Sequence, residues 1–77
     1  MNKAKYVMTN NGPIVFYGGM QHSHFASYNP TSAGFVWLDK NDKTGEIVAT
    51  CFGESVSLKL KVAEEDSFRI TRMFSQY

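Results

Sequence analysis

Cys51-Phe52-Gly53-Glu54-Ser55-Val56-Ser57-Leu58-Lys59-Leu60-Lys61-Val62 alternates apolar and polar side chains almost without interruption. In an extended chain successive side chains point to opposite faces, so Val56, Leu58, Leu60 and Val62 are expected on one core-facing side and Ser55, Ser57, Lys59 and Lys61 on the other. The polar side offers hydroxyls and ammonium groups, which suit an anion and suit plain solvent equally. Gly53 interrupts the run and marks a bulge, a bend or a close backbone approach. The stretch therefore reads as a strand end, a break and a second strand.

Upstream, the same period-two pattern recurs. Ala4, Tyr6 and Met8 fall on one face of a strand over 3–9, and Lys5, Val7 and Thr9 on the other. Asn10-Asn11-Gly12 supplies turn residues that tolerate positive φ, and Pro13-Ile14-Val15-Phe16-Tyr17 reads as the return strand of a hairpin. Gly18-Gly19 ends that strand. The segment 20–28 lacks strand alternation and predicts a short helix with Met20, His24 and Tyr28 on one side, stopped by Asn29-Pro30. Phe35 and Trp37 then oppose Val36 and Leu38, and a run apolar on both faces predicts a central strand, with Trp37 in the core. A polar loop over 39–45 leads to a further strand over 46–52.

At the C-terminal end Ile70, Met73, Phe74 and Tyr77 follow the i, i+3, i+4, i+7 spacing of a helix with one buried stripe. Glu64, Glu65 and Asp66 precede Arg69 and Arg72, an order that suits the helix dipole, and Glu65 is placed to pair with Arg69 across one turn. The chain, 1–77, thus reads as a single α+β domain: a small antiparallel β-sheet of about four to five strands with a C-terminal α-helix packed on one face.

Composition narrows the functional classes. A chain of 77 residues buries only about 60% of its unfolded surface. Its single cysteine, Cys51, excludes an intrachain disulfide, so self-association is the expected supplement to a small core. Six Phe, four Tyr and one Trp exceed what such a core absorbs, which also points to a homo-oligomer. Eight Lys and Arg against seven Asp and Glu leave no field that favours duplex nucleic acid. No apolar run approaches the roughly 20 residues that span a bilayer, and the N-terminus lacks the apolar core of a signal peptide. The expectation is a cytoplasmic protein that engages no membrane.

Three constellations bear on chemistry. His22-Ser23-His24 brings two imidazoles toward one metal if extended, but in a helix they diverge by roughly 200°, and a third ligand from Cys51, Glu54 or Asp66 is not indicated by spacing. Cys51 reads as a small strand hydrophobe as readily as a nucleophile. Ser55 or Ser57 with His24 lacks the Gly-x-Ser-x-Gly turn of an activated serine. No catalytic residue, metal or cofactor is expected. The Gly53-to-Lys59 run reads best as a binding corner, in which hydroxyls and free amides beside a glycine receive an anion and lysine adds charge. The candidate ligand residues are Gly53, Ser55, Ser57 and Lys59, joined by His24 and Arg69; Trp37, Phe25 and Tyr28 are candidates for base stacking.

Ser32-Ala33-Gly34-Phe35-Val36, then Cys51-Phe52-Gly53-Glu54-Ser55-Val56-Ser57-Leu58, then Glu65-Asp66 at the start of the last helix resemble a group of small phage and prophage proteins of uncharacterised function. That group carries a glycine after the final leucine and a Ser-Arg-Pro-Glu-Asp-like helix start, where this chain has Lys59 and Val62-Ala63-Glu64-Glu65-Asp66. The resemblance implies a non-catalytic phage binding protein acting in the host cytoplasm. Its first expected role is an anti-defence sponge that sequesters an anionic, nucleotide-like ligand. The second is an interaction module that occludes or recruits a host or phage protein.

Overall fold

In the computed structural model, which describes residues 2–75, the alternating segments become β1 (Asn2–Thr9), β2 (Gly12–Phe16), β3 (Ser32–Lys40) and β4 (Ile47–Phe52). They form one antiparallel sheet in the order β2-β1-β3-β4. A 3₁₀ segment, His22–Tyr28, links β2 to β3. Two short strands, β5 (Glu54–Ser55) and β6 (Leu60–Lys61), form a separate hairpin, and α1 (Asp66–Ser75) closes the chain. This is the small α+β fold that the alternation and the helical stripe predict.

The sheet is buried on both sides. Ala4, Tyr6 and Met8 of β1 join Val36, Leu38 and Ala49 on the side covered by Ile70 of α1. Val7 of β1 and Ala33 of β3 face the other way, against Phe16, Phe25, Leu58 and Leu60. Strand parity thus distributes one sequence over two cores, as the two-sided apolar pattern of β3 requires. At the first turn only Gly12 takes a positive φ, 110°, while Thr9 Oγ1 accepts from the Asn11 N–H and donates to the Gly12 carbonyl. The hairpin therefore closes through a glycine bulge rather than through positive φ at the asparagines.

The deciding stretch departs from its reading. Residues 56–59 form a turn, so Glu54-Ser55 folds back on Leu60-Lys61. Val56 is 80% exposed, not core. Leu58 and Leu60 pack on the far side of the sheet, whereas Val62 joins the helix side. Two left-handed residues cause this: Gly53 at φ 76° bends the chain out of β4, and Lys59 at φ 57° closes the turn. Ser55, expected on the solvated side, is buried, and its hydroxyl accepts from the Leu58 N–H at 3.3 Å.

Gly34 receives this fold-back. A Cβ there would lie 2.7 Å from Val62 Cγ2 and 2.8 Å from the Phe52 carbonyl oxygen, so only glycine allows the chain to pass so close to β3.

The 3₁₀ segment is a second correction. With three residues per turn, His22 and Phe25 share a side and are buried, Met20 and His24 lie off that side and are exposed, and Tyr28, at the last position of the segment, is exposed as well. The α-helical period of 3.6 had grouped the wrong set. In α1, Ile70 is buried and Phe74 packs on the core, Met73 turns to a surface cleft, and Tyr77 lies outside the described residues. Glu65 and Arg69 meet only through the backbone, from the Arg69 N–H to the Glu65 carbonyl, and no ion pair forms among the described residues.

Helix and sheet are joined by polar side chains as well as by packing. Ser67 Oγ and Thr71 Oγ1 each accept, at 2.8 Å, the N–H of Cys51 and of Ala49, the donors that β4 turns away from β3. Spacing i, i+4 on the helix matches i, i+2 on the strand. Asp66 reaches back to the Ala63 N–H at 2.9 Å, the acidic half of a capping box, which starts the helix there.

Candidate functional site

The six residues singled out as ligand-binding fall into three places. Gly53, Ser55, Ser57 and Lys59 share the β5-β6 hairpin, where Gly53 packs under the Phe35 ring and Ser55 Oγ lies 3.4 Å from Ser57 Oγ. The Ser55 hydroxyl is thus engaged inside the turn. Lys59 projects from an exposed backbone position. His24 stands on the 3₁₀ segment, and its Nδ1 accepts the Gln21 N–H at 2.9 Å as a cap. Arg69 lies on α1 and lines a cleft that contains none of the other five.

That cleft, about 430 Å³, lies between α1 and the β1-β2 turn. Phe68, Arg69, Arg72 and Met73 form its helical wall, and Asn11, Gly12 and Pro13 form the other. Its volume falls within the roughly 300–1,000 Å³ usual for small-molecule sites. Arg69 and Arg72, three residues apart, present two guanidinium groups on one side of the helix, and neither makes an ion pair among the described residues. Phe68 is 66% exposed beside them. Two planar cations beside an exposed aromatic ring can receive a phosphate or carboxylate bidentately and a flat apolar body by stacking. The sequence marks this wall by i, i+1, i+4, i+5 spacing, a signal hidden behind the buried stripe that runs beside it.

The two histidines do not converge. His22 is buried between Phe16 and Phe35, near-perpendicular to both rings, and its Nε2 donates to the Gly34 carbonyl at 2.8 Å. It is a core histidine. Among the described residues no group of three His, Cys, Asp or Glu side chains comes together to hold a metal. Cys51 is half-buried, and burial pushes its thiol pKa up, with the facing Ser67 and Tyr6 hydroxyls opposing that shift. Burial thus lowers the thiolate fraction on which nucleophilic reactivity depends.

On the side of the sheet away from the helix, Trp37 is 38% exposed rather than core, at one end of a row of rings from β3 and β4. Strand parity placed Trp37 on this face correctly. Trp37 pairs with Thr50, on the stretch of β3 and β4 that lies away from Gly53 and the β5-β6 hairpin. Among the described residues no helix is long and apolar enough to cross a membrane.

Comparisons with protein-family models, curated proteins and solved structures find no match.

Proposed function

We propose that this protein binds an anionic, nucleotide-like small molecule without turning it over, and that the ligand sits in the cleft between α1 and the β1-β2 turn. The observation that carries this reading is the pair Arg69 and Arg72, uncompensated by any ion pair among the described residues, beside the exposed ring of Phe68. Guanidinium groups take the phosphate, and Phe68 and Met73 take the base. Sequestration requires affinity alone, which suits the anti-defence role implied by the resemblance to small phage proteins and a site in the host cytoplasm. The hairpin residues Ser55, Ser57 and Lys59 shape the neighbouring fold in this reading, and Arg69 is the one of the original candidates that contacts the ligand.

A thermal-shift and calorimetric series with linear and cyclic nucleotides tests the proposal. Ligand at 100 times its dissociation constant adds about 2.7 kcal/mol of stability, and Arg69→Gln with Arg72→Gln abolishes that gain while leaving the unliganded protein folded. Absence of stabilisation by every member of the series refutes it. A second reading, a module that occludes or recruits a host or phage protein, is favoured by the exposure of Phe68 and Val56. A native mass spectrum separates the two, because it reports a retained small ligand, a bound protein and the subunit number of the expected homo-oligomer together.

A further inference from the structure

The row of rings on the far side of the sheet forms a stack with one closed and one open end. His22 closes it, with its ring perpendicular to that of Phe35 at 5.6 Å and 90°. Phe35 and Phe52 follow at 5.8 Å and 27°, and Phe52 and Trp37 at 5.7 Å and 17°, so the rings become more nearly parallel toward the tryptophan. Among the described residues Trp37 ends the row, with nothing aromatic beyond it. Next to Trp37 on both strands lies the pair Asp39 and Val48, which lines a cavity of about 420 Å³ together with Lys40 and Asn41. Val48, 51% exposed, gives that cavity an apolar floor, and Asp39 gives it a hydrogen-bond acceptor. At the other end Lys3 Nζ stands 5.5 Å from the Phe35 centroid, and Lys3 and Lys5 line a second cavity of about 210 Å³. Lys5 Nζ donates to the Met20 carbonyl, which leaves Lys3 as the freer of the two cations.

We infer that this face binds single-stranded nucleic acid, with one base continuing the stack on Trp37 and the phosphates following the lysines. Every base has a π-face, so an open aromatic stack accepts bases with little regard to sequence. Two cations, Lys3 and Lys5, outnumber the one acid, Asp39, on this face of β1 and β3, which complements a polyanion. Asp39 is placed to accept from the exocyclic amino group of a base, not to meet a phosphate. Two cavities at the two ends of the row fit a ligand of more than one nucleotide. A duplex keeps its bases stacked on each other and gains nothing here. The surface is separate from the arginine cleft, and its occupancy is independent of that reading.

Trp37 is the sole tryptophan, so its emission reports the event directly. The test titrates the full chain with dT and U octamers, each beside a duplex of the same length. Quenching by either single strand, weakening as salt rises, and none by the duplexes is expected, and DNA and RNA arms show which sugar is preferred. With a labelled octamer read by anisotropy, Trp37→Phe retains binding, and Trp37→Ala weakens it about tenfold or more. Lys3→Glu, an exposed change that leaves the fold intact, also weakens it, while Arg72→Gln has no effect. The inference is overturned if neither strand quenches Trp37, if Lys3→Glu and Trp37→Ala bind as the parent does, or if emission shifts with protein concentration alone, which would mean that a second copy covers the row.

Discussion

The Tyr6 hydroxyl donates to Asp66 Oδ2 at 2.5 Å across 60 residues of sequence, with both side chains fully buried. The bond ties the central strand to the first turn of the helix. Asp66 Oδ2 also accepts the Ala63 N–H, whereas Oδ1 is buried without a partner. Removing the phenol oxygen leaves a buried carboxyl group with a single donor, so Tyr6→Phe is expected to cost about 2–3 kcal/mol. Urea denaturation measures this, and an unchanged midpoint would show that the bond contributes nothing net.

The same contact makes the fold sensitive to alkali. Burial, then the hydrogen bond to Asp66, raises the Tyr6 pKa far above its ordinary value, and burial raises that of Cys51. In the unfolded chain Cys51 ionises at about 8.5 and Tyr6 at about 10. Above those values the unfolded state sheds protons that the folded state keeps, so stability is complete at neutral pH and falls as pH rises. Tyr6 alone adds a slope of about 1.4 kcal/mol per pH unit above its unfolded pKa. Denaturation midpoints from pH 7 to 11 should be level and then decline, with the decline shallower in Tyr6→Phe and its onset later in Cys51→Ala.

Gly34 and Lys59 predict opposite responses to a change of side chain. Gly34→Ala forces a methyl against the Phe52 carbonyl and Val62 and is expected to cost about 1–3 kcal/mol. Lys59 holds a left-handed conformation, where an L-residue pays about 1–2 kcal/mol. Lys59→Gly should therefore stabilise by up to about 1 kcal/mol after the added freedom of the unfolded chain is set against it, whereas Lys59→Ala should not. Thermal melts of the three variants decide.

Ser67→Ala and Thr71→Ala each remove the acceptor of one β4 amide. Partly buried, each amide is expected to cost about 1 kcal/mol when left alone. Hydrogen exchange gives the sharper readout: the Cys51 amide should lose protection in the first variant and the Ala49 amide in the second.

Legibility in the sequence followed the length of each pattern. β1, β3 and the helix announce themselves because Ala4, Tyr6, Met8 and Val36, Leu38 repeat a two-residue period over a whole strand and Ile70 and Phe74 a helical one. The run 56–62 repeats the same period, yet it folds on itself, because Lys59 takes a conformation that its residue type disfavours. His22 escaped because a three-residue period over seven residues is too short to separate from 3.6. Of the cleft, Arg69 was legible as a helix cation. Its helical neighbours Phe68, Arg72 and Met73 follow from helix spacing, but Asn11, Gly12 and Pro13 join them only when the helix lies beside a turn more than fifty residues earlier in the chain, a placement no local pattern encodes.

The hydroxyls that close the edge of β4 also set an order on the making of the chain. Ribosomes deliver β4 before Ser67 and Thr71, so every new molecule passes through an interval in which the sheet can form while the amides of Ala49 and Cys51 still face outward. Another chain's strand competes for those donors during that interval. The yield of native protein therefore depends on how quickly the last ten-residue helix arrives and docks, and slowing translation through its codons should increase insoluble product without altering the stability of the finished fold.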